Sequence, residues 1–178
     1  MNSSKLRTLV QMSLFVGLMV ICSWITVPFS VPFTLQTFAI FLAAGVLGGK
    51  KALWVVVVYI LLGALGVPVF SGGRAGIGAL FDVTGGYING FLPCAYLSGI
   101  LCEKTKRPIF MGLSMLAGLL CVYICGALWI YFNFSGVSHL RGFLPVLSSA
   151  MFPYIVPDMV KIFLAVLVSA KLKRHIRV

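Results

Sequence analysis

Six apolar runs divide this chain, at about 7–27, 34–48, 52–66, 84–102, 109–132 and 151–171. About 20 apolar residues cross the hydrocarbon core of a bilayer as a helix, because a helix pairs its own backbone where no water is available. That many runs in 178 residues leave no room for a separate soluble core. The fold class expected is an all-α membrane protein, a bundle of six transmembrane helices forming a single integral membrane domain over 1–178. The second and third runs are short, so each needs a tilt, a thinner bilayer or burial in protein. Composition agrees: 61% of residues are hydrophobic and 10% charged, against about 45–50% and 25% in soluble domains. The first run is too long for a secretory signal and similar runs follow it, so it reads as a retained span.

The net charge of +11 would point to nucleic acid in a soluble chain. Here the basic residues flank the runs, so no nucleic acid is expected and the partner they imply is the lipid bilayer. With the N-terminus inside, the cytoplasmic side receives Lys5, Arg7, Lys50, Lys51, Lys104, Lys106, Arg107, Lys171, Lys173, Arg174 and Arg177, eleven of the fourteen Lys and Arg. Arg74 and Arg141 fall outside, and Lys161 falls within a run. The positive-inside rule then places both termini in the cytoplasm.

Chemistry is scarce. Cys22, Cys94, Cys102, Cys121 and Cys125 all lie in or at the ends of apolar runs, without a C-x-x-C pair, and read as small apolar filler. The acids are Asp82, Glu103 and Asp158. Glu103 sits among Lys104, Lys106 and Arg107 and reads as their solvated partner. No hydrolase or metal motif is present, and GVLGGKK (45–51) lacks the spacing and the Ser or Thr of a phosphate loop. Neither a catalytic residue nor a metal or cofactor is expected.

One stretch breaks the pattern. FPYIVPDMVKIFLAVLVSA (152–170) carries Asp158 and Lys161 with no other charge nearby. On a helix these are i and i+3 and share a face. If the helix enters at about 151, Asp158 lies roughly 10 Å in. If Pro157 is the first helical residue, Asp158 sits in the first turn, where the helix dipole favours its charge. Either way the pair must face the bundle interior, since lipid exposure costs several kcal/mol. It is then either an ion pair that fixes helix packing or the polar patch of an apolar pocket. As a pocket it suits a small ligand that has N–H groups for Asp158, a carbonyl or carboxylate for Lys161, and an apolar body.

The segment GALGVPVFSGGRAGIGALFDVTGGYINGF lies at the outer side, and from Gly63 to Gly90 nine of 28 positions are glycine. It is a connector, or a loop that offers backbone groups to a ligand, with Phe70 and Tyr87 as flat walls. The outer segment 133–150, with His139 and Arg141, is a connector or a lid. Ser13 and Gly17 on the first run form a small-x-x-x-small pair, which permits close helix approach.

VPFTLQTFAIFLAAGVLGGKKA (31–52), the glycine-rich stretch from Tyr59 to Phe91, and PDMVK (157–161) together resemble the BioY family, the biotin-binding S components of energy-coupling factor (ECF) transporters. The resemblance runs along almost the whole chain, with the motifs in the family's order and spacing. It implies a six-helix fold with an outward-facing pocket, covered by the loop between the first two helices and the one after the third. It implies biotin as ligand, with Asp158 and Lys161 in the binding site. Thr34 and Gln36 of PFTLQT, Phe70, Ser71, Gly72 and Gly73 of the loop motif, and Tyr87 of TGGY carry over as further site residues. Asp82-Val83 stands where the family usually has Gly-Pro, so an acid at the rim either pairs with Arg74 or repels an anionic ligand. Partners implied are an ECF T component and ATPase subunits, with Ser13 and Gly17 in loose agreement with that contact. Loops 28–33 and 67–83 would close over biotin, and release would follow from toppling of the whole subunit.

Other readings are an S component for another small vitamin, told apart by ligand competition, and a membrane enzyme using Asp158 and Lys161 without a nucleophile. A structural subunit that binds nothing completes the set. The orientation has its own test. In a variant without native cysteines, an impermeant maleimide added outside intact cells should label Ile77→Cys and leave Lys104→Cys untouched; the opposite pattern contradicts the assignment.

Overall fold

The apolar runs fold as helices, because each amide in an apolar setting has to find its partner within its own segment. The computed structural model describes residues 3–27, 33–105, 107–134 and 143–175. In chain order these form α1 (Ser3–Trp24), β1 (Thr26–Val27), β2 (Phe33–Thr34), α2 (Gln36–Leu47), α3 (Gly49–Ala64), a 3-10 turn at Ser71–Gly73, α4 (Gly78–Phe81), α5 (Gly85–Glu103), α6 (Pro108–Phe134) and α7 (Phe143–His175). Each expected run thus coincides with one helix. By length and composition three are able to cross a membrane: α1, α6 and the Met151–Lys173 part of α7. The segment 28–32, Lys106, and His139 with Arg141 lie outside the described residues.

Three features differ from expectation. α7 begins at Phe143 and holds Pro153 and Pro157 in its interior, so Pro157 does not start it and Asp158 is not in a first turn. The prolines remove the N–H partners of the carbonyls at 149 and 153, a loss tolerated where neighbouring segments pack around the helix. Secondly, β1 and β2 pair antiparallel, Thr26 opposite Thr34 and Val27 opposite Phe33. This hairpin sets the entry to α2. Thirdly, Glu103 reaches beyond the bases beside it in sequence to another helix. Its Oε1 accepts the Gly49 N–H at 2.8 Å, placing a carboxylate at the N-terminus of α3, where the dipole favours it. Gly48, at φ +83, makes the turn, and a Cβ there would collide with that carboxylate. At the same end Lys173 Nζ donates to the Cys102 carbonyl at 3.1 Å, capping α5.

α2 is apolar all round, and so belongs at the centre of the bundle. Of its 12 residues only Phe38 escapes full burial, and it packs against α1, α3, α5 and α7. The closest pairing is α5 with α6. On α5 the small residues Gly86, Gly90, Cys94 and Ser98 recur every fourth position, and α6 answers with Ser114, Gly118, Val122 and Gly126. Cβ atoms built at Gly86, Gly90, Gly118 and Gly126 would each overlap the opposite helix. Small residues at i, i+4 let backbones approach without a hydrophobic drive between lipid-solvated helices. Gly99 does the same for α5 and α3, since its Cβ would strike the Gly49 backbone.

Gly99→Val should therefore force α3 off α5 and destabilise the fold by about 1–3 kcal/mol, the usual cost of overpacking. A lower thermal midpoint in detergent checks it; an unchanged midpoint contradicts this contact.

Candidate functional site

At the end of the bundle that carries the hairpin and the glycine-rich segment lies a cavity walled mainly by apolar and aromatic side chains with a few polar groups, the usual make-up of a ligand pocket. Five parts of the chain build it. β2 and the start of α2 bring Phe33, Thr34, Gln36 and Thr37; the glycine-rich segment brings Ser71, Arg74 and Thr84. α5 contributes Tyr87, Ile88 and Phe91, α6 Leu119, Val122 and Tyr123, and α7 Tyr154, Asp158 and Lys161.

Asp158 and Lys161 form the polar wall. Their side chains are 5% exposed, and Lys161 Nζ lies 2.8 Å from Asp158 Oδ1. The ammonium also donates to the Thr34 carbonyl at 2.6 Å and to Thr37 Oγ1 at 3.0 Å. It stands 3.8 Å from the centre of the Phe33 ring, a cation–π contact. An ammonium has three hydrogens, so all three have protein acceptors. Asp158 Oδ1 also accepts from Thr37 Oγ1 at 3.3 Å, and Oδ2 accepts from Tyr123 OH at 2.5 Å. A carboxylate has about four acceptor sites, so room for one further donor remains, on Oδ2. The pair is thus a fixed acceptor for a ligand N–H. Lys161 braces Asp158 and the β2–α2 junction; a direct bond from it to a ligand would have to replace one of its present three.

The other predicted residues divide. Thr34, Gln36, Ser71 and Tyr87 line the cavity. Gln36 accepts from Thr34 Oγ1 at 2.8 Å and donates to Tyr59 OH, which in turn donates to the Val69 carbonyl at 2.6 Å. This chain ties the start of α2 to the glycine-rich segment. Tyr87 OH is buried and has no hydrogen-bond partner among the described residues, and its ring lies against Gly126. A buried hydroxyl left open on a cavity wall is available to a ligand. Phe70 is not a lining residue. It is fully buried, edge-on to Tyr59 with ring centres 5.8 Å apart, over Gly63. Gly72 and Gly73 also stand outside the lining; their φ of 68 and 76 make the turn that presents Ser71. Ser13 and Gly17 do not line the cavity; both are exposed on α1, and a Cβ on Gly17 would meet nothing within 4 Å.

Several site residues went unforeseen. Tyr154 is four positions before Asp158 and seven before Lys161, a helical face readable from spacing alone. It stacks on Phe33 with ring centres 6.5 Å apart. Tyr123 and Thr37 carry the hydroxyls nearest Asp158 and could have been singled out as polar groups in apolar runs. Arg74 was read only as a partner of Asp82. That pair exists, at 2.6 Å, and Arg74 also lines the cavity.

The segment over the cavity is pinned to α1 and the hairpin. Trp24 Nε1 donates to the Pro68 carbonyl at 2.9 Å, and the Gly72 N–H donates to Thr26 Oγ1 at 3.3 Å. The Thr26 hydroxyl gives its one hydrogen to the Ser23 carbonyl at 2.7 Å, so Ser71 is the donor in the 3.4 Å contact between their hydroxyls.

The BioY family profile matches residues 1–178. The chain is 35% identical over 170 residues to a biotin transporter BioY of Thermotoga maritima, covering 95% of this chain and 97% of that protein. It is also 35% identical over 170 residues to a probable biotin transporter BioY of Pyrococcus horikoshii, covering 95% and 98%. A crystal structure of the S-component for biotin from an ECF-type ABC transporter superposes with a TM-score of 0.88 at 26% identity, over 98% of this chain and 94% of that one.

Removing one member of a buried ion pair leaves the other uncompensated, at about 3–5 kcal/mol, whereas removing both is far less disruptive. Lys161→Met and Asp158→Leu should each lower the thermal midpoint, and the double variant should recover part of the loss. Additive losses would mean the two charges do not depend on each other.

Proposed function

This chain belongs to the BioY family, and on that premise we propose that it captures biotin from outside the cell and serves as the substrate-binding subunit of an uptake system. It is a multi-pass protein of a prokaryotic cell membrane and a transporter subunit, not an enzyme. The observation that carries the proposal is the buried Asp158–Lys161 pair as the polar wall of an otherwise largely apolar cavity.

Biotin has a ureido ring with two N–H groups and a carbonyl, a thiophane ring, and a valerate chain ending in a carboxylate. In the proposed pose one ureido N–H donates to the open site on Asp158 Oδ2. The fused rings lie against Phe33, Tyr154 and the floor of Ile88, Phe91, Leu119 and Val122. Tyr87, Gln36, Thr34 and Ser71 also line the cavity and would supply further polar contacts. Phe70, Gly72 and Gly73 shape the covering turn. The carboxylate points to Arg74, which has N–H groups left to give. Biotin in the names of the relatives weighs against another vitamin.

The finer topology belongs to the same proposal: one membrane domain of six crossings, with α2 and α3 sheltered by their neighbours and both termini in the cytoplasm. In support, Lys50, Lys51, Lys104, Arg107, Lys171 and Lys173 all stand at helix ends opposite the cavity, which leaves the cavity facing out. Energy would come from an ECF T component and ATPase subunits, and the open notch at Ser13 and Gly17 suits contact with a neighbouring membrane helix.

Equilibrium binding of labelled biotin to the purified protein tests the reading. Wild type should bind tightly, and a folded Asp158→Asn variant should bind about 10-fold to 100-fold more weakly, the worth of a hydrogen bond to a charged group. A well-folded wild type that binds no biotin overturns it.

A further inference from the structure

Asp82 is outside the lining of the cavity, yet it holds a group that is part of it. We propose that Asp82 is a positioning residue that gives the site its preference for a ligand with a free carboxylate, by fixing the Arg74 guanidinium at the cavity mouth. The inference rests on the biotin reading above.

The geometry is specific. Arg74 Nη1 donates to Asp82 Oδ2 at 2.6 Å, Nη2 to Thr84 Oγ1 at 3.1 Å, and Nε to the Ser71 carbonyl at 3.3 Å. A guanidinium carries five N–H groups. Three are engaged, one on each nitrogen, so one remains on Nη1 and one on Nη2. Two N–H groups on neighbouring nitrogens suit the two oxygens of a carboxylate. Lys161, by contrast, has all three hydrogens on protein acceptors. Arg74 is therefore the lining cation with donors to offer an acid.

Asp82 is itself held. Its Oδ1 accepts the Val83 N–H at 2.7 Å. Its carbonyl accepts from Trp129 Nε1 at 3.0 Å and from the Gly85 N–H at 2.8 Å, which fastens it to α6 and to the start of α5. Arg74 and Asp82 are 38% and 45% exposed in their side chains. A long side chain so exposed samples many rotamers unless something fixes it. Asp82 supplies that fixation from a residue braced by two helices. It also balances the charge of Arg74, and the Val83 N–H and the guanidinium offset its own repulsion of an incoming acid.

The test compares affinity for biotin and for biotin methyl ester, which keeps the rings and loses the charge. Wild type should favour biotin by about 10-fold to 100-fold, the range of a charge-assisted contact. Asp82→Asn should bring that ratio close to one by weakening biotin alone, with ester affinity unchanged. Arg74→Gln should also lower the ratio, and Asp82→Glu should restore part of the preference. Should Asp82→Asn fold poorly, Thr84→Val removes another tether of the guanidinium and should lower the ratio in the same direction. An unaltered ratio in these variants, or equal loss for both ligands, overturns the positioning role. A wild type that binds both ligands equally overturns this inference and leaves the biotin reading standing. A wild type that binds neither overturns the biotin reading, and this inference with it.

Discussion

Asp158 and Lys161 lie within the apolar Met151–Lys173 part of α7, 2.8 Å apart and nearly without solvent. Two charges in such a place must find most of their partners inside the protein, because lipid supplies none. The surrounding architecture meets that demand. The hairpin delivers the Thr34 carbonyl, the first turn of α2 delivers Thr37, and α6 delivers Tyr123. Three separate segments converge on one pair, so the pair fixes how they are arranged. The same convergence leaves an apolar hollow beside it.

The hollow exists because glycine and other small residues set the distances between helices. Along α5 and α6 they bring the backbones together, and Gly126 gives Tyr87 a flat surface on which to lie. Gly48 and Gly49 do the corresponding work at the opposite end, where Glu103 closes the turn. The cavity end is open and polar at its rim, whereas the other end is capped and basic. That asymmetry is the basis of the orientation proposed for the molecule in the membrane.

Much of the fold was legible in the sequence, since six apolar runs in a chain of this composition can only be helices. The position of Asp158 and Lys161 was legible for the same reason: charge in an apolar run has to face inward. What escaped reading depended on contacts between distant segments. The extension of α7 from about 151 back to Phe143 passes Pro145 and a stretch without strong hydropathy. The hairpin consists of two residue pairs, too few for a periodic signal. Every fourth residue from Gly86 to Ser98 is small, but the glycines there read more readily as part of a loop. Phe70 carried a motif match and yet faces the core, because the ring is needed to cover Gly63. Arg74 entered the site only through the folded shape of its loop, which no local pattern states.

The resemblance to the family and the physical reading meet at the same residues by independent routes. One rests on motifs; the other rests on a pair that has room for one more donor. Both point to Asp158 and Lys161; the proposed pose adds that the ureido ring of biotin meets Asp158 while the valerate tail runs out to Arg74. The most direct measurement is a structure determined with biotin bound. The account predicts a ureido nitrogen within hydrogen-bond distance of Asp158 Oδ2, Lys161 still bonded to Thr34 and Thr37, and the carboxylate on Arg74. Biotin bound the other way round, with its carboxylate on Lys161, or bound away from this cavity, would contradict it.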